Sequence, residues 1–323
     1  MSSTGGIELH YYLSNNKHSL DAITRNRCEA ELLGIFQEVA LALDIPFNVE
    51  AQALAEGGLK EVWKWVGENA TQLNVVLPTV AILIALAPDI YESKEDELSR
   101  ELTELSIEEK KLQIEKLRQE LKDADPRSEN SIQSNAVEVL KREPKIVVRR
   151  SNFYKRLMGE PRIESIGITP LNSNLLPSER ERQVPQSVFK KFILTSHSIK
   201  PITIEDANIE IISPVLRDGN YKWKGIFNGQ PIGFSMNDRL FRSLVLQEEV
   251  TFQHGTFLEC VLNINRQLDE VGEVEITSYV VATVIRKFDD RQSIETPQGR
   301  SYKHAKKLSE SQEELFKDGD ESP

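Results

Sequence analysis

Between Lys141 and Arg162 the chain places eight cations, Lys141, Arg142, Lys145, Arg149, Arg150, Lys155, Arg156 and Arg162, against Glu143 and Glu160 alone, a local net charge of +6. Phe153 and Tyr154 stand among them. Cations interleaved with aromatic rings can neutralise phosphates and stack bases. Arg149, Arg150, Phe153, Tyr154, Lys155 and Arg156 are therefore the candidate nucleic-acid contacts, with single-stranded DNA or a nucleotide as ligand. The same strip also suits anionic lipid heads, or the acidic helix of a neighbouring copy.

A second grouping lies in residues 69–88, a stretch of 20 without a charged side chain, bracketed by Glu68 and Asp89. At 1.5 Å per residue it would span about 30 Å as a helix, the hydrocarbon thickness of a bilayer. Trp63, Trp65 and Tyr91 flank it as interfacial aromatics would. Helical steps of three and four put Thr71, Asn74, Pro78, Ala81 and Ala85 on one stripe. An Asn facing lipid is costly, so that stripe should turn toward other helices or toward water. Together with Glu68 and Asp89 at the mouths, these are the pore-lining candidates of a narrow cation-preferring channel. The competing readings are close helix packing without conduction, and a hub helix buried in protein.

Conventional catalytic chemistry is missing from the sequence. It contains no phosphate-loop, dinucleotide, nucleophile-elbow or zinc-protease motif, and the five histidines (His10, His18, His197, His254 and His304) share no ligand spacing. Cys28 and Cys260 are too isolated for a zinc module or a disulfide framework. A catalytic site, a metal and a cofactor are accordingly not expected.

The elements that must position these residues make up an α+β chain. Residues 1–68 read as a small α/β domain: a strand at 7–13, a helix from Ser19 to Leu43, a strand at 46–53, and a new helix from Leu59 carrying Val62, Trp63 and Val66. Residues 69–90 are the single short transmembrane helix or hub. Residues 91–124 read as a coiled-coil helix. Its seam runs through Leu98, Leu102, Leu105 and Leu112 and continues in shifted register through Ile107, Ile114, Leu117 and Leu121. A seam that narrow calls for a partner strand, most simply another copy; docking on a neighbouring domain is the alternative.

Residues 125–186 read as a polar and basic linker, with Pro161, Pro170, Pro177 and Pro185 breaking its second half. Residues 187–288 read as a mostly antiparallel β-barrel or sandwich, punctuated by Asp218-Gly219 and Asn228-Gly229, with a short helix capped by Asn237 and the role of ligand sensor. The remainder, 289–323, is polar enough to be a disordered tail. The whole chain of 323 residues carries a net charge of −11, which argues against a generic polyanion binder while leaving room for a local basic site. The opening residues lack a secretory signal pattern, so export of the front is not expected.

The segments SLDAITRNRCEAELLGIFQEVALALDI (19–45) and QALAEGGLKEVWKWVGEN (52–69), followed by a short apolar helix, resemble uncharacterised bacterial proteins of anti-phage defence loci. The domain order is similar to the channel-forming effector subunits of Hailong-type defence systems. That resemblance implies a homo-oligomeric channel in the bacterial inner membrane; a tetramer, contact with membrane lipid and a cytoplasmic β-domain are the accompanying expectations. It also implies a partner nucleotidyltransferase whose DNA-oligomer product gates the channel. The alternative expectation is a soluble homo-oligomeric nucleic-acid-binding scaffold or adaptor with the apolar helix as its oligomerisation hub.

Overall fold

The computed structural model describes residues 3–14, 19–52, 59–67, 69–86, 107–124 and 127–317. They form a mixed α+β chain of two units, one comprising Met1–Ser198 with Leu268–Val274, the other Ile199–Gln267 with Glu275–Pro323.

The N-terminal unit is built on a five-stranded sheet of order β2-β3-β1-β4-β5, in which each neighbouring pair is antiparallel. Its strands are β1 (Ser3–Leu13), β2 (Val49–Gln52), β3 (Leu59–Gly67), β4 (Ile163–Leu171) and β5 (Arg182–Pro185). Ile7, Leu9 and Tyr11 alternate inward along β1, and Glu61, Trp63 and Trp65 do so along β3. The opposite face keeps polar pairs such as Lys60 with Glu8. One apolar and one polar face is the pattern expected of an antiparallel sheet covered on a single side.

The cover starts with α1 (Ala22–Leu43), whose Phe36 meets Trp63 edge-on at 5.7 Å between ring centroids. Asp21, rather than Ser19, caps it by accepting from the Thr24 amide at 2.8 Å. Residues 59–67 are a strand and not the expected helix. The deciding pattern is the period of two in Glu61, Trp63 and Trp65, which tertiary pairing with β1 selects over the helical spacing of Val62, Trp63 and Val66. Two pieces of the expected linker are likewise strands: β4 lies beside β1 at the centre of the sheet, and β5 lies beside β4.

The transmembrane helix is corrected by the structure. Helix α2 (Ala70–Ala85) has sixteen residues, which reach only about 24 Å, and no helix among the described residues is long and apolar enough to cross a membrane. Its apolar side chains are used inside the unit instead: Leu73, Val75, Val76, Leu77, Val80, Leu83 and Ile84 are all buried. The membrane, transmembrane and ion-channel expectations fall with it. Of the pore-lining candidates, Pro78 and Ala81 are buried in this core, Thr71 and Ala85 are half-buried, and Asn74 is exposed and donates to Glu129 Oε1 at 3.2 Å. Glu68 and Asp89 lie outside the described residues.

Burying the end of α2 leaves carbonyls that water cannot reach, and α5 (Pro144–Met158) supplies their donors. Arg150 Nη1 donates to the Leu83 and Leu86 carbonyls at 3.1 and 3.4 Å, and the Tyr154 hydroxyl donates to the Ile84 carbonyl at 2.9 Å. The coiled-coil segment is described from α3 (Ile107–Lys122) onward; residues 91–106 lie outside the described residues. Leu117 and Leu121 of α3 are buried in the unit's core, and Arg118 closes the end of α1 by donating to the Ala42 and Leu41 carbonyls. Helix α4 (Glu129–Leu140) completes the cover.

In the C-terminal unit, β6 (Ser198–Ser213), β7 (Trp223–Phe227), β8 (Gln230–Met236), β9 (Phe257–Leu268), β10 (Val274–Phe288) and β11 (Ser293–Glu295) follow the order β11-β10-β8-β7-β6-β9. An additional β10–β9 pairing closes the sheet into a five-stranded barrel, with β8 and β10 parallel. Asn228 and Gly229 both take positive φ in the β7–β8 turn, as the dipeptide leads one to expect. Helix α6 (Arg239–Leu246) is capped by Asp238 rather than Asn237; one carboxylate serves the amides of Phe241 and Val284 and the Gln298 side chain. The expected disordered tail is helical over α7 (Pro297–Lys317), which Lys306 ties to Glu205.

Two outcomes follow for stability. Tyr154→Phe should lower unfolding free energy in urea by about 1 kcal/mol, and Arg150→Met, which strands the buried Leu83 carbonyl and the part-buried Leu86 carbonyl, by about 2–3 kcal/mol. Unchanged midpoints would show that α2 ends without help from α5. The second outcome concerns Glu61, a buried carboxylate paired with Arg25, whose pKa burial raises from its ordinary 4.5. A raised carboxylate contributes stability that is present below the unfolded value and lost as pH climbs through the folded one. The Tm difference of Glu61→Gln relative to wild type should therefore become more favourable to the variant between pH 4 and 7; a flat difference contradicts it.

Candidate anion-binding cleft

Helix α5 has two chemical sides. Ile146, Val147, Phe153, Tyr154 and Leu157 face the core, whereas Arg149, Asn152, Lys155 and Arg156 recur at three- and four-residue spacing on the other side. That side runs along α1, whose Thr24, Arg27 and Glu31 have the same spacing. Between the two helices lies an open cleft of about 750 Å³, with His197 and the turn at Glu270 and Val271 on its rim.

The helices approach closely because α1 has no side chain at Gly34. A Cβ there would overlap the Arg149 guanidinium, which instead lies across the helix. Glu31, nearly buried, then bridges the two arginines of α5, with Oε1 at 3.2 Å from Arg156 Nη2 and Oε2 at 3.9 Å from Arg149 Nη1. The Nε atoms of Arg149 and Arg156 are buried without an acceptor in the protein. On the rim, Asn152 donates to the Glu270 carbonyl at 3.0 Å, and His197 Nδ1 lies 3.2 Å from the Leu268 carbonyl. A carbonyl oxygen can only accept, so Nδ1 is the donor in that contact. Asp269 shapes the turn: the amides of Glu273 and Val271 donate to its carboxyl and hold it below the usual carboxylate range, while the Gly272 amide donates to its backbone carbonyl.

Arg27, Arg149, Lys155 and Arg156 oppose only Glu31 and Glu270 in the cleft lining, an excess of two positive charges before any contribution from His197. Such an arrangement can take an anion by charge-assisted, partly bidentate hydrogen bonds. It is poorly equipped for covalent catalysis. The cysteines are buried in apolar surroundings that push both thiols up to about 12, and no group of His, Cys, Asp and Glu among the described residues could hold a metal ion.

The six candidate nucleic-acid residues are thus divided. Arg149, Lys155 and Arg156 come together in the cleft, while Arg150, Phe153 and Tyr154 are core residues, the last stacked on Phe192 at 3.9 Å. Sequence reasoning missed Arg27, Glu31 and Gly34. Their spacing of three and four along α1 was a usable signal, hidden by attention to that helix's apolar stripe.

Glu31→Gln removes the anion that shares both guanidiniums and should raise the affinity for inorganic phosphate by about fivefold in calorimetric titration. Weaker binding would mean that Glu31 matters more as a splint than as a competitor. Comparison of the chain with protein-family models, curated proteins and solved structures returned no match, so the chemistry of the cleft itself carries the functional reading.

Proposed function

We propose that the protein is a binding module for a phosphate-bearing ligand of the nucleotide class, received in the cleft between α1 and α5. The observation that carries this reading is the convergence of Arg27, Arg149, Lys155 and Arg156 around one concavity in a chain whose net charge is −11. A cleft of about 750 Å³ falls within the range of small-ligand sites and suits a nucleotide better than a lone oxyanion. Thr24 and Asn152 add neutral hydrogen-bonding groups to the lining. The gated channel implied by the resemblance is withdrawn together with the transmembrane helix; the ligand class it implied, a nucleotide or DNA oligomer, agrees with the charge of the cleft.

Titration of the full chain with nucleoside diphosphates and with a dinucleotide tests the proposal. Arg149→Ala combined with Lys155→Ala should weaken binding by tenfold or more, because each charge-assisted hydrogen bond is worth about 1.5–3 kcal/mol. The affinity of the wild type should fall as salt rises. Equal affinities in wild type and double variant, with unchanged circular dichroism, would remove the cleft as the site.

A further inference from the structure

The barrel of the C-terminal unit presents a second surface of a different kind. Its chain path is a three-strand meander, a helix, and a two-strand return in which β10 joins β8 in parallel and β9 joins β6. This is the path of the five-stranded Greek-key barrels that grip oligonucleotides or oligosaccharides across their second and third strands and the loop between the first two. Fold analogy alone assigns nothing, so the residues at that place must make the case.

Here those parts are β7, β8 and the loop 214–222. Inward alternation buries Trp223, Phe227, Ile232 and Phe234, which leaves Lys224 on the outer face opposite Gly233. Gly233 is exposed, and a Cβ there would make only ordinary van der Waals contact, with the Lys222 side chain and the Trp223 carbonyl each at 3.9 Å. Two lysines therefore flank a bare, flat patch of sheet. At the head of β7, Tyr221 remains 54% exposed. Its ring lies against Gly219, whose φ of +139° only glycine takes comfortably and whose Cβ would collide with that ring. Arg242 anchors the loop by donating to Asp218 Oδ1 at 2.5 Å and to the Gly219 carbonyl at 2.6 Å, which also neutralises the acid nearest the ring. Arg217, Ile212 and Leu216 are exposed as well.

We infer that the β7–β8 face and the loop 214–222 form a binding surface for single-stranded nucleic acid, independent of the cleft. Tyr221 is the platform for a base, and Lys222, Lys224 and Arg217 follow the phosphates. Charge complementarity selects this occupant: Arg217, Lys222 and Lys224 stand within four residues of Tyr221 along the chain, and Asp218 in the same loop is paired with Arg242. An exposed aromatic ring on a pinned loop offers stacking at small entropic cost, and stacking accepts any base.

The test is fluorescence anisotropy of the full chain with a labelled oligo-dT of about fifteen nucleotides, long enough to track one barrel. Tyr221→Ala should weaken binding about tenfold, and Tyr221→Phe should restore it. Lys222→Gln with Lys224→Gln should reduce the slope of log affinity against log salt by about 1.4. Tyr221→Ala should leave nucleoside diphosphate binding in the cleft as it is in wild type, so failure here and failure of the cleft are read separately. Wild type that ignores the strand, barrel variants that bind it unchanged, or barrel variants that change only the oligomeric state on gel filtration would each overturn the inference.

Discussion

A buried helix end organises the N-terminal unit. In the last turn of α2 the Leu83 and Ile84 carbonyls are enclosed by the core, and an unsatisfied buried carbonyl costs about 1–3 kcal/mol. Arg150 and Tyr154 meet that demand from α5, and Phe192 packs on both, stacked on Tyr154 and 5.9 Å from the Arg150 guanidinium carbon. A cation is seldom spent in a protein interior unless its hydrogen bonds are good. With Arg150 and Tyr154 pointing inward, the rotation of α5 about its axis is determined. Arg149, Lys155 and Arg156 must then point along α1, and the cleft follows from a requirement of the core.

Opposing needs meet along that helix pair. Two guanidiniums brought together repel, and Glu31 offsets the repulsion from within 3.9 Å of both while leaving the cleft with surplus positive charge. Gly34 has a double effect. It weakens the middle of a 22-residue helix, where glycine is less favourable than alanine by about 1 kcal/mol, and it opens the groove in which Arg149 lies. A residue that is unfavourable for its own element and useful to a charged neighbour points to a site rather than to packing alone.

The barrel reaches a similar end by other means. Its interior is filled by the buried rings of Trp223, Phe234 and Phe241, and the recognition inferred above uses its outer face and loops. Asp238 consolidates the region below that face, because one carboxylate caps α6 and also binds β10 and the start of α7. Rigid loops are what an exposed ring requires if stacking is not to be offset by ordering entropy.

Local signals in the sequence were sound where the chain interacts with itself over short distances. The long helix α1, the Asn228-Gly229 turn and the meander that follows Ser198 were all legible, because side-chain periodicity and backbone sterics act within a few residues. Legible too was the concentration of charge around Arg149 and Arg156. Three matters belonged to tertiary structure alone. Whether residues 70–85 meet lipid or protein depends on partners more than fifty residues away, Arg150 and Tyr154, since lipid and a protein core reward the same apolar composition. Whether Leu59–Gly67 is helix or strand depends on β1 offering its hydrogen bonds. Which cations reach solvent and which are buried depends on the rotation of α5, and adjacent residues on a helix, Arg149 and Arg150, differ by about 100° for a geometric reason no composition records.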